Sequence, residues 1–560
     1  MKPCCMLLDI DYPGTPVEGH RAIVQSDLDV GMDVSAIMYL RMLPGTGDLR
    51  DAVQKLKGRK CDGYTSPPKG TYSWDELLQG NISDVALGQS ALTNGTTAEK
   101  RAISFFQRVA APALGGSLNK HFWITIVPQV ANQEPVAKHA MMAVSSLYET
   151  FTKRSRLDIA CGADDQSSAF AVWHYNEAIR LLRTTTDRAL ILFVCVLFIC
   201  VELLRKNSKD AVEHCRHGIN ILNEVRSESD FIKNHVQPAI RNLSIVPYLY
   251  GADPHSFPTL GKPAPATKYN FRNISEAHQS LVCVLVRVVR FARCLTEPRL
   301  EPGRNGPDPG TEWTQQDIVE DMDAWLEGLR HFTGYIYVPA GHEERDICRL
   351  LEMRWTVGKV MLLTSRSNNE RAYDEHIDKF RTIVELAVPA AAAATASSGK
   401  RKPGYGTGRH PLELGFTSLL AFVVMKCRIF ELRLAAWKLM NKLHRPNDNI
   451  WSEDVTIVLG RRIMELEHHV NLDDMKLDDD DDISEMGEGD PALVQKERIV
   501  NFSANFANTE FPKRNVRFNF LLKEGQSKEY VVEDDWISVK SRPKTQLLEE
   551  ESEWTWKGHC

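Results

Sequence analysis

Apolar residues recur at helical spacing through most of this chain, but not at its start. Over residues 1–100, Gly, Pro, Ser, Thr and Asp interrupt every candidate element, and the stretches 65–70 and 93–97 read as linker. From about Ile103 the pattern becomes helical. Ala171, Val172, Tyr175, Ala178, Ile179 and Leu182 trace one apolar face. Thr184 to Asp187 then supplies a turn and an N-cap, and a run that is apolar on every side follows over 188–204. Lys206 to Lys209 breaks that run, and a third helix is predicted through 211–222. Helices joined by about four residues pack antiparallel on one another. The Pro- and Gly-rich stretch 247–268 reads as a loop. Further helices are predicted at 275–295, where Ser275 suits a helix start, and at 314–330, 344–364, 371–388, 413–443 and 452–470. In the last of these, Val455, Leu459, Ile463, Leu466 and Val470 form the stripe. The alanine-rich stretch 390–404 reads as a flexible linker, and the acidic segment 473–490 as a solvated, disordered one. Residues 514–520 and 529–539 are rich in β-formers, which predicts a small C-terminal β-hairpin. The expected fold is mainly α, a multi-helix antiparallel body between disordered termini.

Composition narrows the class. A length of 560 residues buries a sizeable core and reads as two to four domains. Lys and Arg number 68 against 74 Asp and Glu, a net charge of −6, so no global basic field holds nucleic acid non-specifically. Twelve cysteines are too few for a disulfide-stapled secreted domain. The apolar stretch before Asp9 is shorter than the roughly 7–15 residues of a secretory signal. The longest apolar run, Ala189 to Val201, falls short of the ~18–20 residues that cross a bilayer. It reads as a buried core helix in which Cys195 and Cys200 are small hydrophobes.

Enzyme chemistry needs a constellation, and none is legible. No G-x-S-x-G elbow or phosphate-binding P-loop occurs. Residues 404–408 (Gly-Tyr-Gly-Thr-Gly) depart from the dinucleotide fingerprint and follow no strand. His342, Glu343 and Glu344 begin like a zincin helix, but Asp346 stands where the second histidine would face the metal. Asp478 to Asp482 lack the glycine and terminal glutamate of a calcium loop. His214 and His217 share a helix face and could meet one metal, yet no further ligand can be named. The chain is expected not to be an enzyme.

One short string points elsewhere. Gly58, Arg59, Lys60, Cys61, Asp62, Gly63 and Tyr64 resemble the closing turn of the DNA-binding module in fungal binuclear zinc-cluster transcription factors, where the last zinc cysteine precedes Asp-Gly-Tyr. Over about 100–470 the body is similar to the helical regulatory domain of that family. The resemblance is carried by 105–116, Phe122 and Trp123, 134–149, 174–182, 197–204 and 214–222, then by 276–281, 372–380 and 417–428. Each piece alone is ordinary helix, and their order makes the match specific.

The resemblance implies an RNA polymerase II transcription regulator in the nucleus, with DNA and the transcription machinery or regulatory proteins as partners and no membrane. A homodimer stays open, although no heptad follows Cys61 to form a coiled coil. It also implies zinc, with Cys61 as a ligand and Lys57, Arg59 and Lys60 beside DNA phosphates. Here the chain departs from its pattern. Two zinc ions in such a module need six cysteines spaced about C-x2-C-x6-C-x5–12-C-x2-C-x6–8-C, two of them bridging, and metal binding supplies the folding energy. Cys61 matches the sixth position only. Ala52, Val53 and Gln54 stand where the fifth belongs, and no cysteine occurs between Cys5 and Cys61. Two explanations compete: residues 1–57 are not the natural coding sequence upstream of this turn, or the module has been lost. The alternative function is therefore a helical scaffold or interaction protein of the same descent that binds no DNA. The expected organisation is a remnant or wrongly translated zinc-cluster region at 1–64, a linker at 65–100, and a helical body at 101–389 and 413–470 divided by a linker at 390–412. An acidic segment at 471–497 and a tail at 498–560 complete it. Met475, Ile483 and Met486 within the acid run could serve as an activation surface.

Overall fold

The computed structural model describes residues 95–540, apart from 155–164, 261–267, 301–312, 336–342, 397–414, 445–452, 474–498, 507–512, 524–529 and short gaps at 117, 226–228, 250–251, 255 and 368. The body is helical, as the periodicity requires. Its first helix, α1 (Thr97–Phe105), starts inside the stretch expected to be linker. The Thr96 hydroxyl accepts from the Glu99 N–H, and the Glu99 carboxylate accepts in return from the Thr96 N–H at 2.7 Å, a capping box spelled out in the sequence.

The chain then runs through α2 (Ala111–Gly115) and α3 (Val127–Gln133) into the long α4 (Pro135–Arg154). Next come α5 (Asp165–Leu182), α6 (Arg188–Leu204) and α7 (Ser208–Glu224). Short helices α8 (Gln237–Leu243) and α9 (Val246–Leu249) follow. Three wide π-type turns, at Phe106–Ala110, His121–Ile126 and Ile232–Val236, precede α2, α3 and α8. Each is followed by a proline, Pro112, Pro128 or Pro238, whose ring would strike the carbonyl four residues back in a regular helix. Widening by one residue relieves that clash.

α6 is buried on all sides from Ala189 to Leu204, as its uniform hydrophobicity demands, and the Asp187 side chain caps it through the Ala189 N–H at 2.8 Å. Cys195 and Cys200 are buried among its apolar residues. No helix among the described residues is long and apolar enough to cross a membrane.

The second half comprises α10 (Ile274–Leu300), α11 (Gln315–Tyr335), α12 (Glu343–Thr364) and α13 (Ile377–Ala396), the last entered through a 3-10 turn at Glu370–His376. α14 (Phe416–Lys426), α15 (Phe430–Leu443) and α16 (Glu453–His468) close the body. Two elements depart from the sequence expectation. α13 continues through Pro389, past the expected linker start at 390, because Ala390, Ala391 and Ala394 are buried in the core and packing holds what the proline weakens. The single helix expected over 413–443 is broken at Cys427–Ile429, which separates α14 from α15. Beyond the acidic segment the backbone runs as three antiparallel strands, β1 (Ile499–Phe506), β2 (Lys513–Lys523) and β3 (Tyr530–Lys540), in the order β1-β2-β3.

Successive helices pack against each other: α4 on α5 and α6, α6 on α7, α10 on α11 and α12, α12 on α13, α13 on α15, and α14 on α15 and α16. Side chains from both halves belong to one continuous apolar cluster, reaching from Ala102 to Ile499. Tryptophan N–H groups fix three helix pairs. Trp325 of α11 donates to the Ala277 carbonyl and the Ser280 hydroxyl of α10, Trp355 of α12 to the Met322 carbonyl, and Trp437 of α15 to the Ile457 carbonyl.

Candidate functional site

Lys57, Arg59, Lys60 and Cys61 lie outside the described residues, as does the acidic run 474–490. The donor set of the zinc cluster does not fit this sequence, since five of its six thiolates have no cysteine to supply them. Among the described residues no group of three or more His, Cys, Asp and Glu side chains could hold a metal ion. The pair considered on α7 is separated: the His214 Nε2 lies 3.2 Å from the Tyr175 hydroxyl, Cys215 is buried, and His217 faces out. The buried thiols among the described residues are poor nucleophiles. Burial pushes Cys195 up to about 12 and Cys348 and Cys427 up to about 11, so little thiolate exists at neutral pH.

Chemistry of a different kind gathers where α14 breaks. Lys426, at its last turn, and Arg428, in the break, turn inward and are buried, and Arg433 on the first turns of α15 joins them. Two carboxylates answer. Glu370, from the turn before α13, receives Lys426 Nζ at 3.0 Å and Arg428 Nη2 at 3.2 Å. Glu467, near the end of α16, receives Arg433 Nη1 at 2.6 Å and Arg428 Nη2 at 3.3 Å. Arg428 Nη1 also donates to the Met425 carbonyl and Arg433 Nε to that of Val424, both at 2.7 Å, so the guanidinium groups cap the carbonyls the broken helix leaves open. Lys426 stands over the Tyr373 ring at 4.8 Å. Glu467 is held below the usual carboxylate range: burial opposes ionisation, but Arg428 and Arg433 together with the Ile499 N–H outweigh it. His468, with its Nε2 3.0 Å from Arg433, is driven down to about 4 by burial and by that cation.

This buried constellation draws on four segments that are about a hundred residues apart in sequence, from Glu370 to Glu467. Nothing in the local pattern announces it: on one continuous helix Arg428 would stand opposite Lys426 and Arg433, not beside them. The only sequence signal is three cations against one acid, Glu431, within eight positions that follow a strongly apolar run.

A second polar cluster lies between α4 and α5. His139 Nδ1 and His174 Nδ1 approach to 2.8 Å, so one ring donates to the other. Phe170 and Trp173 flank His174 at 4.2 and 4.6 Å between centroids. His174 falls to about 4, mainly through burial and then through His139 and Lys138, with Glu99 and Glu177 opposing. Beside it α5 turns Val172, Trp173 and Ile179 outward; Trp173 is 57% exposed.

With this geometry in view, similarity to known proteins is limited. No family model matches the chain, and no solved structure matches it. The chain is similar to the aspercryptin biosynthesis cluster-specific transcription regulator atnN of Emericella nidulans, at 24% identity over 375 residues, covering 59% of this chain. It spans about 59% of that relative's length.

Proposed function

We propose that this protein is a fungal transcription regulator of the zinc-cluster type, whose described part is the helical regulatory body. One observation carries the reading: similarity to a biosynthesis cluster-specific transcription regulator extends over 375 residues, far more than any single helix. The residues around Cys61 supply an independent, sequence-level pointer to the same family. In this reading the role of the body is to receive a signal or a partner and pass it to the transcription machinery of RNA polymerase II in the nucleus. DNA is bound through a zinc module only where the residues upstream of Gly58 complete the six-cysteine set. The sequence as it stands does not complete it, which favours a second reading, a regulatory or scaffold protein acting through partners without gripping DNA itself.

Joining the full chain to a heterologous DNA-binding domain tests the first reading. A reporter placed behind that domain's site is expected to change output several-fold, and an unchanged reporter with the fusion present at normal levels in the nucleus overturns it. A mobility-shift assay of the purified full chain on promoter DNA, with no other protein present, separates the two readings: a sequence-specific shift requires its own DNA contact.

A further inference from the structure

Arg428 and Glu467 also hold a third party. Glu467 Oε1 accepts the backbone N–H of Ile499 at 2.7 Å, and Arg428 Nη2 reaches the Ile499 carbonyl at 3.4 Å. The Ile499 side chain is only 3% exposed and joins the core. One acceptor, one donor and an apolar recess read an extended residue much as a neighbouring strand would. The cluster's own pairs, Lys426 with Glu370, Arg428 with both carboxylates and Arg433 with Glu467, are complete without Ile499. Withdrawing that residue therefore exposes an apolar recess but leaves no buried charge without a partner, which keeps the open state accessible.

We propose that this recess is a peptide-binding site for an extended segment carrying a branched apolar residue, and that the segment beginning at Ile499 is its intramolecular ligand, separable from the helical body. Asp473 is paired with Arg461 of α16 at 2.8 Å, and Ile499 is held by Glu467 of the same helix. Six residues at 1.5 Å per residue place those two anchors about 9 Å apart along α16. The inference is independent of whether the protein binds DNA.

The test uses the full chain with a protease recognition sequence inserted at Gly487. After cleavage, the C-terminal piece is expected to co-elute with the body on size exclusion at micromolar concentration. Ile499→Asp puts a carboxylate into the apolar recess beside Glu467 and is expected to weaken retention on the order of a hundredfold, with an unchanged helical far-UV spectrum showing that the body still folds. Independently, a synthetic peptide of residues 495–506 is expected to displace the natural piece, and the same peptide with Asp at position 499 is not. Loss of the piece on cleavage of the natural sequence overturns the proposal. So does equal retention in Ile499→Asp, which would mean that β3, running beside α16, holds the sheet instead. Equal displacement by the two peptides, or none by either, also overturns it.

Discussion

Replacing Glu467 by Gln keeps its shape and removes the charge on which two buried guanidinium groups depend. Arg433 Nη1 sits 2.6 Å from its carboxylate and Arg428 Nη2 3.3 Å, both side chains with no solvent access. Arg428 keeps Glu370, but Arg433 loses its carboxylate partner while staying beside Arg428. Removing one member of a buried ion set costs about 3–5 kcal/mol, because a charge is left uncompensated where water cannot reach it. That is a drop of about two to three and a half powers of ten in the folding equilibrium constant. The assay is urea unfolding of the full chain followed by far-UV circular dichroism. Glu467→Gln is expected to lower the midpoint strongly, as is Arg433→Met to a smaller extent. The double variant is expected to cost at least about 1 kcal/mol less than the sum of the singles, since each removes the other's reason for distress. The pH dependence follows in sign. Glu467 ionises below the ordinary carboxylate value in the folded state, so its contribution is complete above about pH 4.3, where the unfolded group is already ionised, and is lost as pH falls through its lowered folded value. Glu467→Gln should remove that portion of the acid limb. A midpoint within about 1 kcal/mol of the natural protein, or strictly additive singles, would refute the reasoning.

His174, driven to about 4, stays neutral in the folded protein while the unfolded group takes a proton near 6.5. Stability is therefore full above about pH 6.5 and falls between there and 4, and His174→Gln should reduce that slope by up to about 1.4 kcal/mol per pH unit, leaving Glu99, Lys138, His139, Glu177 and Arg180 in place. Trp325→Ala, which empties a fully buried site and frees the Ala277 carbonyl, should cost about 3–5 kcal/mol in thermal or urea unfolding, whereas the exposed Trp173→Ala should stay within about 1. Gly328→Ala would place a methyl 2.8 Å from the Tyr269 carbonyl oxygen and should cost about 1–3 kcal/mol. Gly334→Ala meets nothing within 4 Å and should be neutral or stabilising by up to about 1 kcal/mol through helix propensity. Purified full chain should carry no more zinc by elemental analysis than Cys61→Ala; two tightly held equivalents per chain would contradict the cysteine count.

Residues determine locally what depends on local period. The spacing of Ala171, Tyr175 and Ala178, the all-round hydrophobicity of 189–204 and the cap at Asp187 are decided within a few turns, and those helices lie where the pattern puts them, although Val172 and Ile179, read as part of the same apolar face, are exposed. The box formed by Thr96 and Glu99 was equally legible, and only the Gly and Thr around it suggested linker. Tertiary structure alone decided three things. It kept α13 helical beyond Pro389, because burial of Ala390 and Ala391 outweighs one missing hydrogen bond. It broke the 413–443 helix at Cys427–Ile429, where buried carboxylates from distant segments pull Arg428 inward. And it brought Glu370, Arg433, Glu467 and Ile499 to one point. Periodicity says which face of a helix is buried but not which distant face it meets. Charge pairing in the interior is a property of that meeting, so the ion cluster and the recess it forms could appear only once the chain was folded.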